Sequence, residues 1–121
     1  MRKETIKYVD YNGKERCEDF YFNLNKAEII EMQVEAGGDM EGKLKKIIDT
    51  EDLPRLHQLF KDIILKSYGV KSEDGRRFIK SKEASAEFAQ TEAYAELVMM
   101  LMSDGEKAAE FINGVIPNIN R

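Results

Sequence analysis

Residues 68–81, Tyr68-Gly69-Val70-Lys71-Ser72-Glu73-Asp74-Gly75-Arg76-Arg77-Phe78-Ile79-Lys80-Ser81, separate two apolar, helix-patterned halves of the chain. Gly69 stands where a glycine closes a helix in the left-handed conformation, and Asp74-Gly75 is a turn signal. Ser81, ahead of Lys82, Glu83 and Ala84, reads as the cap of the next helix. The segment therefore encodes a stop, a turn and a restart, as a loop or with a third short strand at Arg77 to Ile79. It is the only candidate hinge, since no repeat, low-complexity tract or convincing domain boundary occurs elsewhere.

On the amino-terminal side of this connector lies the strongest helical pattern. Asp52 caps it, Pro54 falls in the first turn where it is tolerated, and Leu56, Leu59, Phe60, Ile63, Ile64 and Ser67 share one side. Arg55, Gln58, Asp62 and Lys66 lie opposite, which places this helix at the centre of the fold. Before it, a short helix is expected from about Asp39 through Asp49, with Met40, Leu44, Ile47 and Ile48 on a narrow face. Gly42 weakens it by roughly 1 kcal/mol relative to alanine. Earlier still, Asn25 and Glu28 form a capping box, Ile29, Ile30 and Val34 supply an apolar stripe, and Gly37-Gly38 ends the helix.

Beyond the connector, a helix is expected from Ser81 through Phe88, with a fresh cap or kink at Thr91-Glu92. Tyr94, Leu97, Val98 and Leu101 then define an apolar face, while Met99, Met100 and Met102 fall on its flanks and far side. The result is a belt of apolar surface instead of a stripe. Asp104 caps a last helix through Asn113, with Ala108, Phe111 and Ile112 inward and Gly114 ending it. Val115-Ile116-Pro117 leads into a frayed tail.

The amino-terminal stretch Lys3 to Leu24 has the pattern of a β-hairpin around Asp10-Tyr11-Asn12-Gly13. Ile6, Tyr8, Phe20, Phe22 and Leu24 all occupy even positions, whereas a two-residue Asn-Gly turn pairs even with odd. A three-residue Tyr11-Asn12-Gly13 loop with a bulged glycine restores a common apolar face and turns Cys17, Asp19 and Tyr21 outward. A hairpin is marginal alone, so its aromatic face needs the helices that follow. The expected class is α+β: an amino-terminal β-hairpin packed on a bundle of about six mostly short helices. One domain, 1–121, would comprise hairpin 1–24, helical half 25–68, connector 69–81, helical half 82–116 and tail 117–121.

Composition bounds the function. A chain of 121 residues fits one domain, 42% hydrophobic content supports a core, and the net charge of -4 argues against a nucleic-acid partner. The single Cys17 forms no internal disulfide, and no apolar run suits a signal peptide or a membrane span, so a reducing, cytoplasmic setting is expected. Arg76, Arg77 and Lys80, with Phe78 interleaved, form a candidate anion contact. Against it stand the neighbouring Glu73, Asp74 and Glu83, which favour a solvated loop anchored by Phe78 and Ile79. The segment also fails as a phosphate loop, since one residue too many separates Gly69 from Gly75 and Arg76-Arg77 replaces Lys-Ser/Thr. His57 lacks a second ligand at metal-binding spacing, and Cys17 lacks a base, so no catalytic residue, metal or cofactor is expected. Methionine suits a surface that accommodates varied helices, which makes Met99, Met100 and Met102 candidate partner-binding residues. Phe111, Ile112, Val115 and Ile116 would extend that patch, and self-association is a second use for it.

Four segments carry a resemblance: Ile64-Leu65-Lys66-Ser67-Tyr68-Gly69, Lys71 through Lys80, Phe88-Ala89-Gln90-Thr91-Glu92-Ala93-Tyr94, and Phe111-Ile112-Asn113-Gly114-Val115-Ile116-Pro117. With the Tyr11-Asn12-Gly13 turn and Phe20-Tyr21-Phe22-Asn23-Leu24, the chain resembles the tail assembly chaperones of long-tailed bacteriophages over most of its length. The resemblance implies a small, non-catalytic protein made in the infected bacterium. Such a protein associates with the tape measure protein, keeps it soluble, helps recruit tail tube protein, and is absent from the finished virion. It would correspond to the shorter of the two products many members have. The alternatives are a small phage regulatory module that binds nucleic acid through Arg76 to Lys80, and a structural tail subunit.

Overall fold

Even-numbered apolar residues on both arms of the hairpin require a turn that preserves parity, and the chain supplies one. The computed structural model describes residues 1–35, 37–38, 42, 46–47, 49–50 and 52–116. Strands β1 (Arg2–Val9) and β2 (Glu15–Phe22) pair antiparallel with Ile6 opposite Glu18 and Glu4 opposite Phe20, even against even. The Asp10 N–H donates to the Lys14 carbonyl and the Gly13 N–H to the Asp10 carbonyl, both at 2.9 Å. Gly13 takes a φ of 79°, the left-handed conformation that closes a three-residue loop with a glycine bulge. The Asp10 carboxylate accepts the Asn12 and Lys14 amides and Nε of Arg16, so the loop is held from inside. That bond to Arg16, with the two amides, holds the Asp10 carboxyl below its ordinary range.

Helix α1 (Lys26–Glu35) opens with a reciprocal cap, in which the Glu28 N–H donates to Asn25 Oδ1 and the Asn25 N–H to Glu28 Oε1. It closes at Gly37 and Gly38, with φ of 76° and 108°. Only part of its expected stripe packs: Ile29 is buried, while Ile30 and Val34 are exposed. The inward row is Ile29, Met32 and Gln33, and Ile30 and Val34 begin about 100° round the helix from it. The expected helix over 39–49 lies largely outside the described residues, as do Met40, Leu44 and Ile48 and the tail from 117 on. Helix α2 (Leu53–Ser67) follows, capped by Asp52, and buries Phe60, Ile63, Ile64 and Ser67.

At residue 68 the chain departs from the helix-stop expectation. Gly69 adopts no left-handed conformation; Tyr68 is already extended and the chain passes directly into strand β3 (Tyr68–Lys71). Strand β4 (Phe78–Ile79) pairs with it, placing Val70 opposite Ile79, and completes a four-stranded antiparallel sheet in the order β1-β2-β3-β4. The glycine is required by space: a Cβ at residue 69 would lie 2.7 Å from the Phe78 ring and 2.9 Å from the Ile79 carbonyl oxygen. The Asp74-Gly75 turn is present as expected, with Gly75 at φ 73°.

Helices α3 (Lys82–Ala89), α4 (Glu92–Ser103) and α5 (Gly105–Val115) begin at the expected caps Ser81, Thr91 and Asp104. Five helices thus stand among the described residues, against the sheet in an α+β arrangement. Gly114 does not end α5, which continues to Val115; its bare Cα lets the Arg2 side chain lie close. The core is an aromatic cluster centred on Phe88, whose ring stacks on Tyr68 at 4.4 Å and meets Phe20, Phe22 and Tyr94. Phe22 also meets Phe111 edge-on at 5.3 Å, which ties β2 to α5. Burial beside this cluster, with Glu87 nearby, raises the Tyr68 hydroxyl pKa.

Candidate functional site

A wheel of α4 shows apolar side chains all round, and packing decides which of them remain at the surface. Ala93, Leu97 and Leu101 are buried against β1 and the neighbouring helices. Tyr94, Val98, Met100 and Met102 are half-buried against the same core. Met99 alone of the belt is exposed, at 66%. It lies on the row Glu92, Glu96, Met99 and Ser103, which helical geometry puts on one line along the surface.

This row borders the hairpin. The Glu92 carboxylate raises the pKa of the Tyr11 hydroxyl, and Glu96 shares an open groove of about 580 Å³ with Lys7, Tyr8, Val9, Glu15, Arg16 and Cys17. On the groove's inner side Tyr8 donates to Glu18, and that bond raises the tyrosine's pKa. Neither Glu92 nor Glu96 stands out in the sequence, because charged residues on a helix flank carry no signal until the element beside them is known.

The expected carboxy-terminal extension of the patch divides. Phe111 and Val115 are fully buried, facing Phe22 and the rest of the core, so they form no part of an exposed surface. Ile112 and Ile116 are half-buried. A helix-wheel reading cannot make this division, because it does not reveal that α5 packs against β1 and α4 simultaneously.

The basic cluster also divides. Arg76 and Arg77 are exposed, and their backbone amides are held by Asp74 Oδ1 and Ser72 Oγ. Asp74 accepts from the Ser72 hydroxyl and the Arg76 amide, which lowers its pKa. Lys80 points elsewhere: its Nζ donates to both carboxylate oxygens of Glu28, at 2.7 and 2.8 Å. A bidentate partner already neutralises that lysine, which leaves the two arginines without the third cation of the expected anion contact.

His57 is exposed on α2 and Cys17 is an exposed free thiol on β2. Among the described residues no three His, Cys, Asp or Glu side chains come together as a metal site. Among the same residues no helix is long and apolar enough to cross a membrane. What the helix leaves at the surface is the Met99 row, with its half-buried neighbours and the hairpin beside them.

A family model described as phage tail assembly chaperone matches residues 1–119. No curated protein and no solved structure matches the chain.

Proposed function

The chain belongs to the phage tail assembly chaperone family, and on that premise we propose that it binds the tape measure protein, keeps it soluble and helps recruit tail tube subunits around it, without catalysis. The observation that supports the binding surface is Met99, a large flexible apolar side chain 66% exposed on a helix whose other large apolar residues pack inward. Met100, Met102, Ile112 and Ile116, half-buried around the core, are surface that a partner helix would cover further. The proposed mechanism is shielding. Apolar stripes of a long helical partner rest on this surface until tube subunits displace it, which requires modest affinity and rapid release. The site of action is the cytoplasm of the infected host, and the protein leaves before the particle is complete.

The test is co-expression with the tape measure protein, followed by capture and a solubility measurement at low and high salt. Capture that resists salt and keeps the partner soluble is the expected result, since apolar contacts are far less salt-sensitive than phosphate contacts. Met99→Asp, at an exposed position, is expected to leave the fold intact and to weaken capture about tenfold, the effect of losing an anchor worth roughly 1.4 kcal/mol. A folded Met99→Asp protein that captures its partner as well as the parent does would remove the assigned surface.

A further inference from the structure

Strand β1 is an eight-residue edge strand, and its free side is chemically distinct from its paired side. The Asp10 amide bonds to the Lys14 carbonyl, which makes 10 and 14 a hydrogen-bonded pair. Alternation then directs the backbone groups of the even residues of β1 toward β2 and those of Lys3, Thr5, Lys7 and Val9 away from it. Among the described residues no hydrogen bond reaches these outward groups, and all four residues are exposed. Lys3 and Lys7 also enter no ion pair among the described residues.

We propose that this edge accepts an extended, acidic segment of a partner protein as a fifth strand of the sheet, with its carboxylates opposite Lys3 and Lys7 and its apolar side chains resting beside Met99. The charge decides the occupant. Lysines on an edge strand repel other basic edges, and a second copy of β1 added antiparallel about Thr5 would set Lys3 of one copy against Lys7 of the other. The same two lysines, unpaired, favour a strand with an acidic residue opposite each.

The flanking helix fits this geometry. Glu96 shares its groove with Lys7, Tyr8 and Val9, so α4 runs along the edge and its Met99 row forms a shoulder for the inward-facing side chains of an added strand. Backbone bonds would supply affinity and the lysines selectivity, the division of labour of strand addition generally. The inference goes beyond helix shielding: it names a different, extended partner segment and uses backbone groups that shielding leaves untouched.

The test uses the full chain and a short synthetic peptide of alternating valine and polar residues, with a glutamate opposite each lysine. Its control carries lysines in place of the glutamates. The amides of Thr5 and Lys7 are expected to exchange about tenfold more slowly with the acidic peptide at about ten times its Kd, and to be unaffected by the control. Thr5→Pro removes an outward donor without removing a bond to β2, and is expected to abolish the protection. Lys3→Glu combined with Lys7→Glu keeps the backbone intact and is expected to reverse the preference, so the test stands if the proline variant misfolds.

Equal affinity for both peptides, or no protection at Thr5 and Lys7, would overturn the proposal. So would concentration-dependent dimers in which the same amides are protected without peptide, because the occupant would then be a second copy. None of these outcomes bears on capture of the tape measure protein, so the two readings fail separately.

Discussion

The two faces of the β1–β2 hairpin share one backbone and one ladder, yet they do opposite things. On the even face Phe22 and Ile6 are buried, and Phe20 and Tyr8 lean on the aromatic cluster. On the odd face Lys3, Thr5, Lys7, Cys17 and Asp19 are all exposed. The difference lies only in what stands across from each face. Stability therefore resides in the even positions, while the odd ones stand in solvent. The strongest way to break this contrast is a pair of substitutions on the two faces. Phe22→Ala removes a ring that touches Tyr68, Phe88 and Phe111, and is expected to cost about 3–5 kcal/mol. Thr5→Ala loses only an exposed bond to Asp19 and should stay within about 0.5 kcal/mol. Denaturant unfolding of both variants measures this, and comparable losses would mean that the outer face contributes to the core after all.

The contrast sharpens toward β3 and β4, where the outer face acquires packing of its own. Phe78 lies over Gly69, and Lys71 Nζ sits 4.4 Å from the centre of the Tyr21 ring. Gly69→Ala would press a methyl group against both the Phe78 ring and the Ile79 carbonyl, and the backbone oxygen has no rotamer to escape into. The expected cost is about 1–3 kcal/mol, the usual penalty for overpacking, read as a shift of the denaturation midpoint at unchanged slope. A neutral substitution would show that β4 moves freely over β3.

How much of this was legible depended on whether the signal was local. Parity around Asn12-Gly13 pointed to the hairpin loop, because a two-residue turn would split Ile6 and Phe22 between the faces and a bulged three-residue loop keeps them together. The caps at Asn25, Asp52, Ser81, Thr91 and Asp104 were legible for the same reason: each side chain bonds within its own first turn. Strand β3 was not. A glycine after an apolar helix resembles a left-handed stop, and only the pairing of Tyr21 with Gly69 and the approach of Phe78 reveal an extended residue with no room for a Cβ. The candidate surface was half legible. The wheel of α4 marked an excess of apolar residues, but which flank stays open depends on β1, α3 and α5, elements set by distant sequence. Phe111 and Val115 were misplaced in the patch for that reason, and the Lys80–Glu28 pair joins residues far apart in the chain.

The smallest effect expected concerns the loop that assigns residues to the two faces. Asp10 gathers the Asn12 and Lys14 amides and the Arg16 guanidinium, and the Arg16 bond contributes most to holding its pKa below the ordinary value of 3.8. A carboxyl whose pKa is depressed on folding stabilises the fold fully above its unfolded value, and that contribution fades as pH falls through the folded value. Acidification below the usual carboxylate range should therefore loosen the loop while the ladder near Phe22 persists. Carbon-detected titration of the Asp10 carboxyl would place its midpoint below those of exposed aspartates, and protection of the Asn12 and Lys14 amides, taken relative to their intrinsic exchange at each pH, would fall over the same interval. Because Asp10 braces a loop whose residues 11–14 are exposed, Asp10→Asn should alter this local exchange far more than global stability. An ordinary midpoint, or amide exchange indifferent to it, would mean that Gly13 and the aromatic face alone hold the hairpin in parity.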